Sequence, residues 1–307
     1  MTIEPSESPA AEVATPTVGK IAPLRIVVTG ANGQLGRELM LRSDPAYELF
    51  GFGRAELDIT DLAQCRAALE RIKPDAVIHC AAYTAVDRAE TDSDAAYQVN
   101  AAGSRNIAIA AREAGAKLAF VSTDYVFDGR STTPYNEYDR TNPLTVYGKS
   151  KLAGEQLVQS LHDRYFVVRT AWVYGAHGAN FVRTMLRLGE AGGTLKVVSD
   201  QLGSPTYTAD LAQMLLTLVT TEAYGIYHAT NSGSCSWYEF AAAIFEEGGL
   251  AAQAVPCTTA EFPRPAPRPA YSVLDHSALR ANGLPPMRHW REALRDFMQQ
   301  LQHNEKG

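Results

Sequence analysis

A chain of 307 residues, 46% of them hydrophobic, is long enough to form one large domain or two unequal ones around a substantial core. Its formal net charge of −6 provides no broad basic surface, which argues against nucleic acid as a partner. No apolar run approaches the ~20 residues that cross a bilayer, so no membrane association is expected.

Two further features bear on where the protein works. The first 20 residues are rich in Pro, Ser, Thr and Glu and contain no apolar block, so residues 1–22 are predicted to be a disordered leader and not a signal peptide. The four cysteines, Cys65, Cys80, Cys235 and Cys257, show no metal-ligand spacing and are interpreted as small buried hydrophobes. We therefore expect a cytoplasmic protein without a metal site.

Short β-branched runs alternate with helical patterns as far as about residue 170. Strands are predicted at Leu24–Thr29, Tyr47–Phe52, Ala76–Cys80, Leu118–Ser122 and Phe166–Arg169, and helices at Gly33–Leu41, Leu62–Ile72, Ala95–Ala114 and Thr145–Leu161. The alternation is typical of a doubly wound α/β fold with a parallel sheet and crossover helices. Glycine- and proline-interrupted segments follow. Residues 171–307 are therefore predicted to form mainly a smaller substrate-binding lobe, with segments returning to the sheet.

Three glycines, Gly30, Gly33 and Gly36, stand directly between the first predicted strand and the first helix. Missing side chains there permit a tight turn, the approach of a pyrophosphate to backbone N–H groups and close helix–strand packing. The triplet alone is weak evidence, but between a strand and an amphipathic helix it indicates a dinucleotide site. Residues 23–170 are therefore predicted to be a Rossmann-type, NAD(P)-binding domain.

The end of the second predicted strand bears on which dinucleotide binds. Arg54 stands where an NAD-selective site usually has an acid for the ribose 2′-hydroxyl. Arg54 can pair with a 2′-phosphate, which favours NADPH, although a solvated surface arginine is an equally good interpretation. Glu56 is close enough in sequence to leave NADH open. Asp58 or Ile59 is expected near the adenine.

Small or hydroxyl-bearing residues follow the third and fourth strands. Ala81 and Ala82, before Tyr83, leave room for a flat nucleotide at the carboxyl edge, where open α/β sheets bind their ligands. Thr123 lies at the same edge. Its hydroxyl either hydrogen-bonds a substrate carbonyl or only satisfies the strand end.

Tyr147 and Lys151 are four residues apart near the start of a predicted helix and so share one face. A free phenol loses its proton near pH 10. A cation on the next turn is expected to favour the phenolate and make the phenol a usable proton donor. Together with Thr123 and the glycine turn, the pair predicts a hydride-transfer enzyme: Thr123 orients the substrate, Tyr147 donates the proton, and Lys151 tunes Tyr147 and holds the nicotinamide ribose.

Several longer strings, in order, carry a resemblance to a known family. They are Ala81–Asp87, Ser122–Gly129, Tyr147–Glu155, Arg169–Tyr174, Asp200–Thr206 and Arg268–Ser272. Together they resemble the extended short-chain dehydrogenase/reductase superfamily and, within it, the dTDP-4-dehydrorhamnose reductase family. The resemblance extends from about Leu24 to the C-terminus and is far more specific than any one motif.

The resemblance implies an NADPH-dependent reductase of a dTDP-linked 4-keto sugar that serves cell-surface polysaccharide synthesis. Thr123, Tyr147 and Lys151 become the catalytic set. The implied cofactor residues are Gly30, Asn32, Gly33, Gln34, Leu35, Gly36, Arg54, Asp58, Ile59, Ala81, Ala82, Tyr83, Tyr147 and Lys151. The implied substrate residues are Thr84, Val86, Thr123, Asp124, Tyr147, Trp172, Asn180, Gln201 and Arg268. The last three are implied for the nucleotide-diphosphate half, and Arg268 is chemically the most attractive of them because a guanidinium forks onto phosphate oxygens.

Other functions stay open at this point. A 4,6-dehydratase would need a glutamate after Thr123-Asp124, where this chain has Tyr125. An epimerase would retain its cofactor, and a non-catalytic regulatory subunit on this fold would more easily lack Tyr147 or Lys151. The sequence does not distinguish dTDP-4-dehydrorhamnose from related dTDP-4-keto sugars. A homodimer is possible.

Overall fold

The computed structural model describes residues 22–304, and the predicted leader lies almost wholly outside them. The strands are β1 (Leu24–Thr29), β2 (Tyr47–Phe52), β3 (Ala76–His79), β4 (Lys117–Thr123), β5 (Tyr165–Thr170), β6 (Val173–Tyr174), β7 (Thr194–Val198), β8 (Leu202–Gly203), β9 (Thr206–Tyr207), β10 (Gly225–His228), β11 (Cys235–Ser236) and β12 (Gln253–Cys257). The α-helices are α1 (Gln34–Met40), α2 (Leu62–Ile72), α3 (Val86–Ala89), α4 (Ser93–Tyr97), α5 (Ser104–Glu113), α6 (Val146–Leu161), α7 (Phe181–Glu190), α8 (Thr208–Val219), α9 (Trp237–Glu247), α10 (Ser277–Ala281) and α11 (Trp290–Asn304). Within the described range, no helix combines the length and apolar character needed to cross a membrane.

The centre of the molecule is a six-stranded sheet in the order β10-β5-β4-β3-β1-β2, and its strand pairs are all parallel. Because all six strands run in the same direction, their carboxyl ends lie at the same edge of the sheet. The order reverses after β1, which places the glycine turn at the switch point of the sheet. The predicted doubly wound α/β fold is confirmed.

Both faces of the sheet are covered, which is why its strands are almost continuously apolar. On one face, Leu35 and Leu39 of α1 pack with Leu211 and Leu215 of α8 against Ile26 and its neighbours. On the other face, α2, α5 and α6 contribute Leu69, Ile107 and Val158 to a second core. The predicted strands therefore form one sheet, and the helices on its two faces bury the apolar residues in two layers.

A third core lies outside the sheet, between α7, α9 and α11, with β7 and β12 paired beside them. It is rich in aromatic rings: Trp172, Trp237 and Trp290 all belong to it or pack against it. Strand β10 and helix α8, from the same C-terminal half, instead complete the central sheet and its cover. The proposed boundary at residue 170 stays a prediction.

One predicted element is wrong in its continuity. The sequence indicates a single helix over Ala95–Ala114, whereas the chain forms α4, a π-helical segment at Gln98–Gly103 and then α5. Asn100 lies in the π segment with 0% exposure, and its side chain hydrogen-bonds outside the helix. A π segment accommodates such an insertion, and π segments often mark functional sites.

Candidate active site

The glycine turn has the tight geometry that its residues predict. Gly30 has φ = +68°, and a Cβ on it would lie 2.7 Å from the backbone nitrogen of Ala81. A Cβ on Gly36 would lie 2.2 Å from the carbonyl oxygen of Gly30. Gly33 precedes α1 and makes no side-chain cap, so the first N–H groups of the helix are not taken by a capping side chain. These features fit a pyrophosphate at the turn.

The residues proposed for the adenosine half gather around the end of β2. Arg54 is exposed immediately after the strand, and its charge lowers the pKa of Asp58 after the larger effect of hydrogen bonds from Thr60. Asn32 packs against Gly53: its Nδ2 would lie 2.0 Å from a Cβ there. Ile59 is buried against the π segment. Among residues 22–304 Arg54 makes no ion pair, and it lies at the corner where such sheets recognise the ribose.

The segment that follows β3 is held by Asn100. The Asn100 Oδ1 accepts the Tyr83 N–H (2.8 Å), and its Nδ2 donates to the Tyr83 carbonyl (3.1 Å) and to Ser150 Oγ (2.9 Å). Ser150 directly precedes Lys151 on α6. One buried amide therefore fixes the backbone of Ala81–Tyr83 relative to the helix that carries Tyr147 and Lys151, a role that sequence reasoning missed.

Thr123 and Tyr147 lie side by side at the carboxyl edge of the sheet. The Thr123 hydroxyl donates to Asp124 Oδ1 (2.9 Å) and accepts the Tyr125 N–H (3.2 Å). Burial raises the pKa of Tyr147 to about 12; hydrogen bonding with Thr123 opposes this shift, and the charge of Asp124 adds to it. At neutral pH the phenol is therefore protonated, which is the form of a proton donor.

The start of α6 sets this geometry. Thr145 caps the helix by accepting the Gly148 N–H (3.0 Å). A Cβ on Gly148 would lie 2.2 Å from the carbonyl oxygen of Tyr125, so only glycine lets α6 approach the turn after Thr123 so closely. The Tyr125 ring meets the Tyr147 ring edge to face, with centroids 5.6 Å apart.

Lys151 differs from the expectation. Its Nζ donates to the Val121 carbonyl (2.7 Å) and lies 4.1 Å from the centroid of the Phe120 ring, with the side chain 1% exposed. Burial lowers the pKa of Lys151 to about 8, against the attraction of Glu155. The expected lowering of the Tyr147 pKa by Lys151 is not found, because burial dominates the phenol and the ammonium is bound to β4.

Behind Lys151 lies a fully buried ion pair. Arg169 of β5 donates from Nε (3.0 Å) and Nη2 (2.7 Å) to the two carboxylate oxygens of Glu155, and the Ser122 hydroxyl donates to the same carboxylate. Glu155 is 0% and Arg169 2% exposed. Since Ser122 adjoins Thr123, Glu155 ties the helix of Tyr147 and Lys151 to the strand of Thr123.

Asp124 is a second buried carboxylate next to the reacting pair. It is 2% exposed, and its Oδ2 has no hydrogen-bond partner in the described part of the chain. Burial raises the pKa of Asp124 to about 6, and the hydroxyls of Thr123 and Ser272 oppose this shift. The Oδ2 atom is therefore a candidate acceptor for a substrate hydroxyl.

The other substrate candidates line the same side of the molecule. Thr84 is exposed before α3, and Val86 begins that helix half-buried. Trp172 stacks on Trp237 with ring centroids 3.5 Å apart, and its indole occupies the space where Gly203 lacks a side chain. The φ of Trp172 is +49°, a conformation that bulky residues rarely adopt and that tends to persist at functional sites.

Three of the predicted polar residues make bonds within the protein. Asn180 caps α7, and its Nδ2 donates to Gln34 Oε1 (2.8 Å) and the Gly175 carbonyl (2.9 Å). Gln201 donates to Thr259 Oγ1 (2.9 Å). Arg268 donates to Asp87 Oδ1 (2.9 Å). Their predicted roles toward substrate stay predictions.

No group of three or more potential metal-binding side chains occurs among residues 22–304, and the four cysteines are free thiols. Besides Asn100, sequence reasoning missed the roles of Asp87, Glu155, Arg169 and Arg264. A charged residue within an apolar strand, such as Arg169 in Tyr165–Thr170, was the one signal that could have indicated a buried pair.

Comparison with known proteins extends over nearly the whole chain. A family model described as the RmlD substrate binding domain matches residues 24–303. A dTDP-4-dehydrorhamnose reductase of Streptomyces griseus is 48% identical over 278 residues, which cover 88% of this chain and 91% of the relative. A probable dTDP-4,6-dihydroxy-2-methyloxan-3-one 4-ketoreductase of Streptomyces antibioticus is 46% identical over 277 residues, covering 89% and 94%.

Among solved structures, dTDP-4-dehydrorhamnose reductase from Bacillus anthracis str. Ames in complex with NADP is similar with a TM-score of 0.89 at 47% identity, covering 91% of this chain and 99% of that one. The similarity therefore extends over both the central sheet and the third core outside it, which we call the outer lobe. The resemblance drawn from the motifs is confirmed: the chain belongs to the RmlD substrate binding domain family, the family of the dTDP-4-dehydrorhamnose reductases.

Proposed function

We propose that this protein reduces the C4 ketone of dTDP-4-dehydro-L-rhamnose to dTDP-L-rhamnose with NADPH, a step of dTDP-rhamnose biosynthesis that supplies a precursor of cell-surface polysaccharide. One observation carries the proposal: the protonated Tyr147 and the hydroxyl of Thr123 lie together at the sheet edge that also carries the glycine turn. Relatives named for this reaction match nearly all of the chain. The enzyme is expected to be cytoplasmic.

The residues around the turn fit a nicotinamide dinucleotide. Gly30 and Gly36 leave the close approach that a pyrophosphate needs, and the exposed Arg54 supplies a cation for a 2′-phosphate. NADPH, when bound, supplies the hydride that reduces the carbonyl. Arg54→Gln is expected to raise the KM for NADPH about fivefold, because an exposed charge-assisted hydrogen bond is lost. Initial rates should show no such rise with NADH; equal changes would remove Arg54 from this role.

The proton chemistry follows from the Thr123–Tyr147 pair. Tyr147 gives its proton to the C4 oxygen, which becomes a stronger base than a phenolate as the carbonyl is reduced. Thr123 has a single hydroxyl proton, which it donates to Asp124 Oδ1, while its oxygen accepts the Tyr125 N–H. Thr123 can hydrogen-bond the C4 oxygen as donor only when that proton turns from Asp124. Lys151, with a pKa of about 8, is mainly charged at neutral pH and suits the nicotinamide ribose.

The substrate is proposed to lie between α3 and the segment 264–272, with its sugar toward Tyr147 and its diphosphate toward Arg268. Thr84, Val86 and Trp172 are proposed to line the sugar and nucleotide, and Asp124 Oδ2 to accept from a sugar hydroxyl. Asn180 and Gln201 are proposed to act on the nucleotide half, mainly by holding the Gln34 and Thr259 side chains in place.

The test is NADPH oxidation by the purified protein with dTDP-4-dehydrorhamnose generated in situ, followed by NMR identification of the product. Formation of dTDP-L-rhamnose supports the proposal. No oxidation by protein that binds NADPH would contradict it. Size-exclusion chromatography with light scattering would determine separately whether the protein is a monomer or a homodimer.

A second candidate, reduction of another dTDP-4-keto sugar, is favoured by the relative named as a ketoreductase of a different dTDP sugar. The same assay with dTDP-4-keto-6-deoxy-D-glucose distinguishes the two through kcat/KM. Dehydration is disfavoured, because the position after Asp124 holds the phenol of Tyr125, which meets the Tyr147 ring edge to face and provides no carboxylate. A purely regulatory role would leave the half-buried Tyr147 and the buried Lys151 without a use.

A further inference from the structure

One carboxylate, that of Asp87, holds two arginines of a distant segment. Arg264 donates from Nε (3.2 Å) and Nη2 (2.7 Å) to Asp87 Oδ2. Arg268 donates from Nη1 (2.9 Å) to Oδ1, and the Ala266 N–H reaches the same oxygen (3.2 Å). These bonds lower the pKa of Asp87 to about 2 against the opposing effect of burial, so the carboxylate is ionised at any working pH.

Both guanidinium groups have N–H donors that form no hydrogen bond within residues 22–304. Arg268 uses only Nη1, which also donates to the Ala266 carbonyl (2.8 Å), while its Nε and Nη2 make no hydrogen bond within residues 22–304. Arg264 likewise leaves Nη1 unused there. Two positive charges on one negative charge leave a net cation. A diphosphate supplies the oxygens that such paired donors bind best.

The cluster lies one aromatic ring away from the reacting phenol. Tyr125 lines one cavity together with Pro267 and Pro269, the chain neighbours of Arg268, and the Tyr125 ring meets that of Tyr147 edge to face with centroids 5.6 Å apart. Asp87 also directly follows Val86 at the start of α3. A 4-keto sugar whose C4 oxygen meets Tyr147 would therefore direct its anomeric diphosphate toward the two arginines.

Asp87 also attaches the segment 264–268 to the start of α3. Beyond that segment, the Tyr271 N–H donates to the Gly129 carbonyl (3.2 Å), and the Leu202 N–H donates to the Ala270 carbonyl (2.8 Å). Before it, Thr259 is bound by Asp200 and Gln201. Between these attachments, Asp87 provides the ionic contacts that fix the direction of both guanidinium groups.

We propose that Asp87 is a positioning residue that holds Arg268 and Arg264 together as a two-arginine site for the diphosphate of the nucleotide sugar. The inference rests on the proposed function for the class of substrate. It adds Arg264 as a direct ligand and Asp87 as the residue that positions both arginines, to a site for which the resemblance implies Asn180, Gln201 and Arg268. When the nucleotide binds, the unused donors of both arginines take the phosphate oxygens while the Asp87 bonds persist.

The test measures binding of dTDP and dTMP to the full-length protein with NADP⁺ by isothermal titration calorimetry. The variants are Asp87→Asn, Arg264→Gln and Arg268→Gln. The matched control is Arg66→Gln, because Arg66 also makes a two-pronged bond to one carboxylate, that of Glu113, and this pair links α2 to α5 without contacting the segment 264–268. Thermal melts verify that each variant is folded.

We expect the Kd for dTDP to rise about 10- to 100-fold in Arg268→Gln, about tenfold in Asp87→Asn and about threefold in Arg264→Gln. The preference for dTDP over dTMP should shrink in all three, and Arg66→Gln should match the wild type. Unchanged or tighter dTDP binding by folded Asp87→Asn would overturn the positioning role, since Asp87 would then only compete with phosphate.

Two other outcomes also decide the matter. If the affinities for dTDP and dTMP fall equally in Asp87→Asn, Asp87 stabilises the local structure and does not position a diphosphate site. If Arg264→Gln binds dTDP as the control does, Arg264 is not part of the site. A wild-type protein that binds neither nucleotide would instead overturn the proposed class of substrate, which separates that failure from failure of the inference.

Discussion

The ion pair between Glu155 and Arg169 makes a sharp stability prediction. Glu155→Gln nearly preserves volume but leaves the Arg169 guanidinium, 2% exposed, without a counter-charge. Removing one partner of a buried pair costs about 3–5 kcal/mol. With a fall in Tm of about 2 °C per kcal/mol for a chain of this size, Tm is expected to drop by about 6–10 °C.

Glu113→Gln provides the matched comparison, since it breaks a pair of the same two-pronged geometry whose side chains are both 50% exposed. Exposed pairs contribute at most about 1 kcal/mol. Replacing both buried partners by methionine should recover much of the loss, because neither charge is then stranded.

The assays are circular dichroism melts and guanidinium titrations of the four proteins, followed by kcat well below each Tm. We also expect Glu155→Gln to lower kcat, since the carboxylate links the strand of Thr123 to the helix of Tyr147. Equal Tm losses in Glu155→Gln and Glu113→Gln would refute the reasoning, because burial would then make no difference to the pair.

Three further predictions concern the reacting groups. Tyr147→Phe should depress kcat by about 10²–10⁴ with an unchanged NADPH Kd in a fluorescence titration; retained turnover would exclude Tyr147 as the acid. Because burial lowers the pKa of Lys151 to about 8, kcat/KM should fall as pH rises through about 8 and the ammonium is lost; a pH profile of Lys151→Arg should lack this fall, and its persistence would assign the limb to another group. Because burial raises the pKa of Asp124 to about 6 from 3.8, the folded state binds the extra proton between these values and loses stability as pH rises through them. Asp124→Asn should therefore raise Tm more at pH ~7.5 than at pH ~4, and an equal gain at both would contradict a shifted carboxyl.

Local patterns predicted much of the fold. The bounds of β1, β2 and α2 match the predicted strands and helix, because each is a short apolar period bounded by turn residues. The glycines at positions 30 and 36 correctly indicated close backbone contacts, which a side chain at either position would prevent. The π segment around Asn100 escaped, because a buried amide that bonds to Tyr83 across 17 residues leaves no trace in helical periodicity.

The site was harder to predict in its electrostatics than in its membership. Spacing placed Tyr147 and Lys151 on one helix face, but it could not reveal that burial would raise the pKa of the phenol and lower the pKa of the ammonium. The bonds of Arg264 and Arg268 to Asp87 span 177 and 181 residues, and only tertiary structure brings such groups together. Sequence spacing therefore could not predict which charged side chains would pair in the site.

The aromatic core of the outer lobe has a spectroscopic consequence. The chain has three tryptophans, and all of them, Trp172, Trp237 and Trp290, belong to or pack against this one cluster, with the first two stacked at 3.5 Å. Intrinsic tryptophan emission therefore reports on that lobe alone, while far-ultraviolet dichroism reports on the whole backbone. Recorded together during denaturation, the two signals would coincide if both parts melt as one cooperative unit and separate if the outer lobe opens first.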